Sequence, residues 1–398
     1  MPELLKDIIL TRSEDIFEEI VNIRREFHKI PEPGFEENRT SELIQNTLKG
    51  WNIPFRTGFA GTGIAAFIES NPEYKTIAFR ADIDALPLIE KTGLAFSSEN
   101  PGFFHGCGHD IHTACLLGTM KILNELKDKL TVNVKAVFQP GEEKFPGGAK
   151  TVIKDGALKD PEVESIFGLH VDPNLPTGTI ALKPGAMMAS TSLFKIKIIG
   201  KGGHAANPSA CLDPIPIAAQ VINAFQTYSS RMIDPFAPAV ISITSIAAGT
   251  TYNIIPEQVI MTGTARSLNP DTTEMLPKEL NRIVGETTAA FGAVYEFDYK
   301  PGAPVVDNDR NLTDFVRKTS ADIIGNEGVK NFKGTFGGED FSEYQKIVPG
   351  CFFRLGCTAE GEKAAPPHSP QFNPDERALY YGMSIFSAIA FNYNEFNK

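Results

Sequence analysis

The segment His105-Gly106-Cys107-Gly108-His109-Asp110-Ile111-His112 packs three imidazoles and a thiol into eight residues. Thiolate and imidazole are good ligands for zinc and its neighbours. The flanking glycines allow Cys107 and His109, two residues apart, to aim their donor atoms at one ion. The competing reading is a helix start with an ordinary buried cysteine and surface histidines. Spacing alone leaves open which of the four would ligate.

Further along, Gln139-Pro140-Gly141-Glu142-Glu143 follows an apolar run. Adjacent residues of extended chain project to opposite sides. One glutamate can therefore bind metal while the other faces the reaction space as a general base; a solvated acidic turn is the plain alternative. His170 closes the run Ser165–Leu169, where a ligand and a satisfied core histidine are equally expected. His368 sits in Pro367-His368-Ser369-Pro370, a loop stiffened around one imidazole, with an unremarkable surface loop as the competitor. Asp82-Ile83-Asp84 sets two carboxylates after another apolar run. His204, preceded by Gly202 and Gly203, reads locally as a turn histidine.

The elements that must position these residues are legible in outline. Leu4, Ile8, Ile16, Ile20 and Ile23 recur near helical spacing, so the chain up to about Lys49 reads as helical, interrupted at Ile30-Pro31-Glu32-Pro33-Gly34. Strands are expected at Thr76–Arg80, Val132–Phe138 and Ser165–Leu169, with a helix over Ile111–Leu126. Strands interleaved with helices predict an α/β layer with a parallel or mixed sheet. Asp84, Glu142, Glu143 and His170 then all follow C-terminal strand ends, the edge where such sheets bind ligands. Convergence of residues so distant in sequence is more persuasive than any single motif.

The pattern changes near Gly185. Strands at Leu193–Ile199, Val240–Ile246, Val259–Arg266 and Val294–Tyr299 alternate with helices at Ile215–Tyr228 and about Pro277–Phe291. This β-α-β-β-α-β order suits helices on one face of an antiparallel sheet. An inserted domain of about residues 186–299 is expected, within a first domain made of residues 1–185 and 300–398.

At 398 residues, two domains are the natural expectation. The net charge of −11 argues against nucleic acid or an anionic membrane surface as partner, since both need clustered Lys and Arg. Five cysteines at irregular spacing suit a reducing compartment better than a disulfide framework. No apolar run approaches the roughly 20 residues of a membrane helix. The N-terminus, with acidic residues scattered through it, lacks the pattern of a signal peptide. A cytoplasmic protein is expected.

The motifs RADIDALPLIE, HGCGHDIHTACLLG, FQPGEE, GLHV, IGKGGHAANP, NIIPE, GTARS, GGEDFSEY, PG and HSPQF stand in this order. Together they resemble the amidohydrolase branch of the aminoacylase and carboxypeptidase metallopeptidase family, which includes hippurate hydrolases, auxin-conjugate hydrolases and bacterial N-acyl-amino-acid deacylases. The resemblance runs from RREFHKIPEPGFEE to the C-terminal helix. It implies a metallopeptidase α/β/α catalytic domain with an inserted α+β sandwich that serves as lid and dimerisation domain.

By the same resemblance, Cys107, His109, Glu143, His170 and His368 would hold two divalent metal ions, Cys107 bridging them, and Glu142 would be the general base. Zinc suits these donors; manganese, cobalt or nickel are alternatives. His204 would reach the oxyanion, usually in the active site of the partner subunit of a homodimer. Asn253 and Arg266 match positions that hold the substrate carboxylate or the oxyanion, and Arg suits forked recognition of a carboxylate. His105 and His112 receive no ligand role. Asp84 matches a carboxylate that orients a ligand in distant relatives, but Asp82 stands where that ligand would be. Two departures are visible: HGCGHD replaces the branch's usual Met-His-Ala start, and QPGEE replaces QPAEE. The implied reaction is hydrolysis of an N-acyl amino acid, a small carboxylate-bearing substrate. A dipeptidase or carboxypeptidase is the near rival, and a non-catalytic binding protein on the same fold the distant one.

Overall fold

The computed structural model describes residues 2–396. It divides into two compact units: Met1–Met187 with Asp307–Lys333 and Asp340–Lys398, and Met188–Val306 with Gly334–Glu339.

The first unit is built on an eight-stranded mixed sheet. Its order is Phe55–Phe59, Gly63–Ile68, Asn133–Gln139, Thr76–Asp82, Val163–Pro176, Gly350–Thr358, Ile180–Leu182, Val329–Asn331. Thr76–Asp82 is buried along its whole length and pairs in parallel with both neighbours, Asn133–Gln139 and Val163–Pro176. Parallel strands buried on both faces read as continuous apolar runs, which is why these were visible in the sequence. Helix His109–Glu125 is buried on nearly every side, as expected of a helix without a polar face. It packs on Thr76–Asp82 and on the C-terminal helix Ala378–Phe396.

The second unit is a four-stranded antiparallel sheet, ordered Ala239–Ala248, Gln258–Ser267, Ser190–Ile199, Val294–Pro301. Along Ser190–Ile199 the alternation is plain: Phe194, Ile196 and Ile198 are buried, whereas Leu193 and Lys195 are exposed. Helices Pro214–Arg231 and Pro270–Ala289 supply the other half of this core through Val221, Phe225, Leu280 and Val284. The second helix starts at Pro270 and not near Pro277. Asn269 accepts the Thr272 amide at 2.8 Å as its N-cap, and Pro270 takes the first turn, where a missing N–H costs nothing. Pro277 lies inside the helix.

His170 also departs from expectation, lying inside its strand and not at its end. Val163–Pro176 continues because Gly350–Thr358 pairs with it past His170, whereas Thr76–Asp82 stops pairing at Arg80↔Gly168. From Leu169 onward one edge of the strand is therefore freed from the ladder, and His170 sits on that stretch.

Candidate metal centre

Each side chain of the first unit's cluster is set by its own element. Gly108 caps helix His109–Glu125 with φ +87°, and a Cβ there would meet Val171 Cγ2 at 2.5 Å. Only glycine fits both demands. The turn puts His109 at the first helical position and Cys107 just before it. His109 Nδ1 donates to the Asp84 carbonyl at 2.9 Å, leaving Nε2 buried without a hydrogen-bond partner. His170 Nδ1 donates to the Val171 carbonyl at 2.7 Å. Its Nε2 accepts from the Cys107 thiol at 3.3 Å. A ring N–H tied to an oxygen with the opposite nitrogen turned into the cluster is how ligating histidines are commonly oriented.

Glu143 is fixed by its backbone, whose amide donates to Asp84 Oδ2 at 2.9 Å. Its Oε1 faces His368 Nε2 at 3.2 Å and His109 Nε2 at 4.0 Å. His368 takes a left-handed φ of 63°, held by its amide donating to the Gly106 carbonyl at 2.8 Å.

The ligand atoms gather into two trios that share one member. Cys107, His109 and His170 form the first; Cys107, Glu143 and His368 form the second. Within each trio the atoms lie within 4.8 Å of one another, and so do those of His109, Glu142 and Glu143. Thiol, imidazole and carboxylate around orphaned His109 Nε2 are a donor set that fits a pair of divalent ions. Burial, with Glu143 nearby, pushes the Cys107 thiol up to about 12; a coordinated cation would favour the thiolate. Burial would raise Glu143, but the His368 hydrogen bond and the charge of His109 hold it below its ordinary value.

Asp82, His109 and His112 form another close group, yet two of its three members, Asp82 and His112, are already engaged. Asp82 accepts from His112 Nδ1 at 2.6 Å and from Arg80 at 2.8 Å, and His112 Nε2 accepts the Val171 amide at 2.9 Å. Asp82 and His112 thus brace the strand that carries His170. Arg80 also binds Gln139 and Asp340, tying two strand ends together beneath the cluster. The sequence reading missed Arg80 and Asp340. An arginine closing the apolar run Thr76–Arg80, two residues before Asp82, was the one available signal.

His105 is buried with neither ring nitrogen hydrogen-bonded, and burial takes it down to about 3, so it stays neutral. His28 is buried between Asp110 at 2.7 Å and Glu90 at 3.2 Å, in an ion-pair cluster with Arg24.

His204, Asn253 and Arg266 belong to the second unit. His204 lies on a two-stranded ribbon opposite Ile254, and the Ala205 amide donates to the Asn253 carbonyl at 3.0 Å. The exposed His204 ring accepts the Ala206 amide at Nδ1, which leaves Nε2 as its donor. Arg266 donates one arm to the Phe336 carbonyl at 2.9 Å.

This fold and this donor cluster define a metal-dependent amide hydrolase, and the chain belongs to peptidase family M20/M25/M40, whose model matches residues 78–392. It is 39% identical over 372 residues to an N-acetylcysteine deacetylase of Bacillus subtilis, covering 93% of this chain and 96% of that one. It is 36% identical over 393 residues to the IAA-amino acid hydrolase ILR1-like 4 of Arabidopsis thaliana, covering 98% and 88%. Among solved structures it resembles the Bacillus subtilis YXEP protein, described as a dinuclear metal binding peptidase of the M20 family. That match has a TM-score of 0.81 and 35% identity, over 96% of this chain and 99% of that one. Two divalent ions are thus supported by the relative and by the donor set. Among the described residues no helix is long and apolar enough to cross a membrane.

Proposed function

We propose that the protein hydrolyses N-acyl amino acids, cutting the amide between a carboxylic acid and an amino acid whose own carboxylate stays free. The observation that carries this reading is the pair of ligand trios meeting at Cys107, with Glu142 gathered beside His109 and Glu143. On this reading Cys107, His109 and His170 would hold one ion, and Cys107, Glu143 and His368 the other. Zinc is our assignment from the thiolate and imidazole donors; elemental analysis distinguishes it from manganese, cobalt or nickel.

When bound, the ions would polarise the amide carbonyl and make a nearby water more acidic. Glu142 takes the proton from the attacking water and delivers it to the departing nitrogen, since an amine anion is a very poor leaving group. Water thus adds hydroxyl to the acyl carbon and hydrogen to the amine. Arg266 and Asn253 hold the substrate carboxylate or the developing oxyanion, and His204 Nε2 donates to the oxyanion from the partner subunit of a homodimer. Support for a dimer comes from Ala239–Ala248, an edge strand with exposed Ile246 and an unpaired ladder. Five cysteines outside any disulfide fit the cytoplasm.

The test measures amine release from N-acetyl and N-benzoyl amino acids against dipeptides. Higher kcat/KM on the acyl amino acids supports the reading. Preference for dipeptides replaces it with a dipeptidase or carboxypeptidase.

A further inference from the structure

The turn carrying Glu142 and Glu143 is held by two carboxylates, each taking one backbone amide. Asp84 accepts the amide of Glu143 at 2.9 Å. Glu37 accepts the amide of Gly141 at 2.9 Å through Oε1, and its Oε2 accepts the Thr62 hydroxyl at 2.6 Å.

Glu37 is an unexpected residue for this task. It stands at the N-cap of helix Asn38–Gly50, yet its side chain makes no capping bond. That duty falls to Glu32, whose carboxylate accepts the Arg39 amide at 3.1 Å and the Thr40 amide at 2.9 Å. With the helix end already satisfied, Glu37 turns away from its own helix, fully buried, towards a residue more than a hundred positions distant. Burial is the main force lifting its carboxyl to about 7, so its seclusion carries an electrostatic cost.

Neighbouring contacts leave the turn little room. Gly141 has φ +68°, and a Cβ there would strike the Phe35 ring at 2.6 Å. A Cβ on Gly34 would meet Gly141 Cα at 2.9 Å and Asp84 Oδ2 at 3.3 Å. Phe35 itself is left-handed, with φ 68°, a conformation persisting only where surroundings over-determine it. The arm from Glu32 to Glu37 is thus shaped against this turn.

We propose that Glu37 is a positioning residue for the hydrolysis, its carboxylate setting the direction in which Glu142 and Glu143 leave the turn. The inference rests on the roles given above to those two glutamates. Angular placement of a proton-transfer group is where small displacements are costly, a shift of about 1 Å being worth up to about 10²-fold in rate.

The experiment compares metal-loaded wild type with Glu37→Leu, Glu37→Gln, Thr62→Val and Glu142→Ala. Activity is read on N-acetyl-L-methionine and N-benzoylglycine, and metal release as the rate of zinc transfer to a chelating dye. Glu37→Leu should lower kcat by roughly 10- to 100-fold with KM changed less than about 3-fold, keep two metals per chain and release zinc about 10-fold faster. Glu37→Gln still presents an oxygen to the Gly141 amide and should recover to within about 5-fold of wild type. Thr62→Val, conservative in shape, should show the Glu37→Leu effect in weaker form and covers the case in which that variant does not fold.

Wild-type kcat and zinc release in Glu37→Leu, or in Thr62→Val should Glu37→Leu not fold, would overturn the proposal. Equal damage from Gln and Leu would also overturn it, by showing that charge and not the hydrogen bond matters. Glu142→Ala separates the two levels. If it keeps the wild-type rate, the functional reading fails whatever Glu37 does; if it alone is inactive, only the role of Glu37 fails. Should neither probe be hydrolysed by wild type, the zinc release rates still decide the positioning claim.

Discussion

The Val171 amide donates to His112 Nε2 at 2.9 Å, so two histidines that meet in space have different tasks. His112 is occupied at both nitrogens, by Asp82 and by Val171, while the preceding residue of the strand, His170, keeps Nε2 turned to Cys107.

The first prediction concerns that brace. His112→Phe removes the acceptor of a buried amide, which costs about 1–3 kcal/mol. It should also weaken metal binding by about 10- to 100-fold, because the strand carrying His170 loses its anchor. Urea unfolding and competitive zinc titration measure the two effects. Unchanged zinc affinity would detach His112 from the metal centre.

Glu142→Ala should retain both ions and lose about 10²- to 10⁴-fold in kcat. Elemental analysis and steady-state kinetics on the same preparation check this. Loss of metal in step with activity would recast Glu142 as a ligand.

Cys107→Ala should empty both sites together, since each trio contains Cys107. His170→Ala should reduce the content by one ion only. Metal stoichiometry after dialysis decides it: one ion at full occupancy in Cys107→Ala is incompatible with a bridge. Chelation of the wild type should leave a folded, inactive protein that zinc restores, because the apolar core of the first unit does not depend on the cluster.

The buried acid cluster predicts a pH dependence. Burial would raise the Glu90 carboxyl, but hydrogen bonds from His28, the Ser98 amide and the Thr92 hydroxyl bring it from 4.5 to about 2. A carboxylate depressed on folding contributes stability above its unfolded pKa. That contribution is lost as pH falls from about 4.5 through about 2. Glu90→Gln should therefore be less stable than wild type at pH 7 by about 1–2 kcal/mol, discounted for partial solvent screening. The difference should shrink towards zero near pH 2. A gap in urea midpoints that stays constant across that range would contradict the assignment.

Much of the site was legible because its residues obey local rules. Strands buried on both faces announce themselves as apolar runs, and polar residues placed directly after them fall on one sheet edge. Asp84 and the Glu142–Glu143 pair followed from that logic, and the Cys107–His112 cluster stood out by its density of donors ahead of a helix; His170 lies within its strand and not after it. Glu37 did not. Glu32, Glu36 and Glu37 stand close together ahead of one helix, and nothing local tells which caps it and which reaches elsewhere. Asp340, 260 positions from Arg80, was equally silent.

The sequence by itself determined which donor types exist, their order, and the α/β and antiparallel patterns of the two units, because side-chain periodicity and glycine conformations are local properties. Only the tertiary structure decided which atoms are already spent. It set His112 against Val171 and left His170 facing Cys107. It freed Glu37 from its helix for Gly141, and drew Gly334–Glu339 into the second unit through Arg266 and Phe336. A hydrogen bond depends on distance and direction between groups far apart in the chain, and those are fixed only when the whole fold has packed.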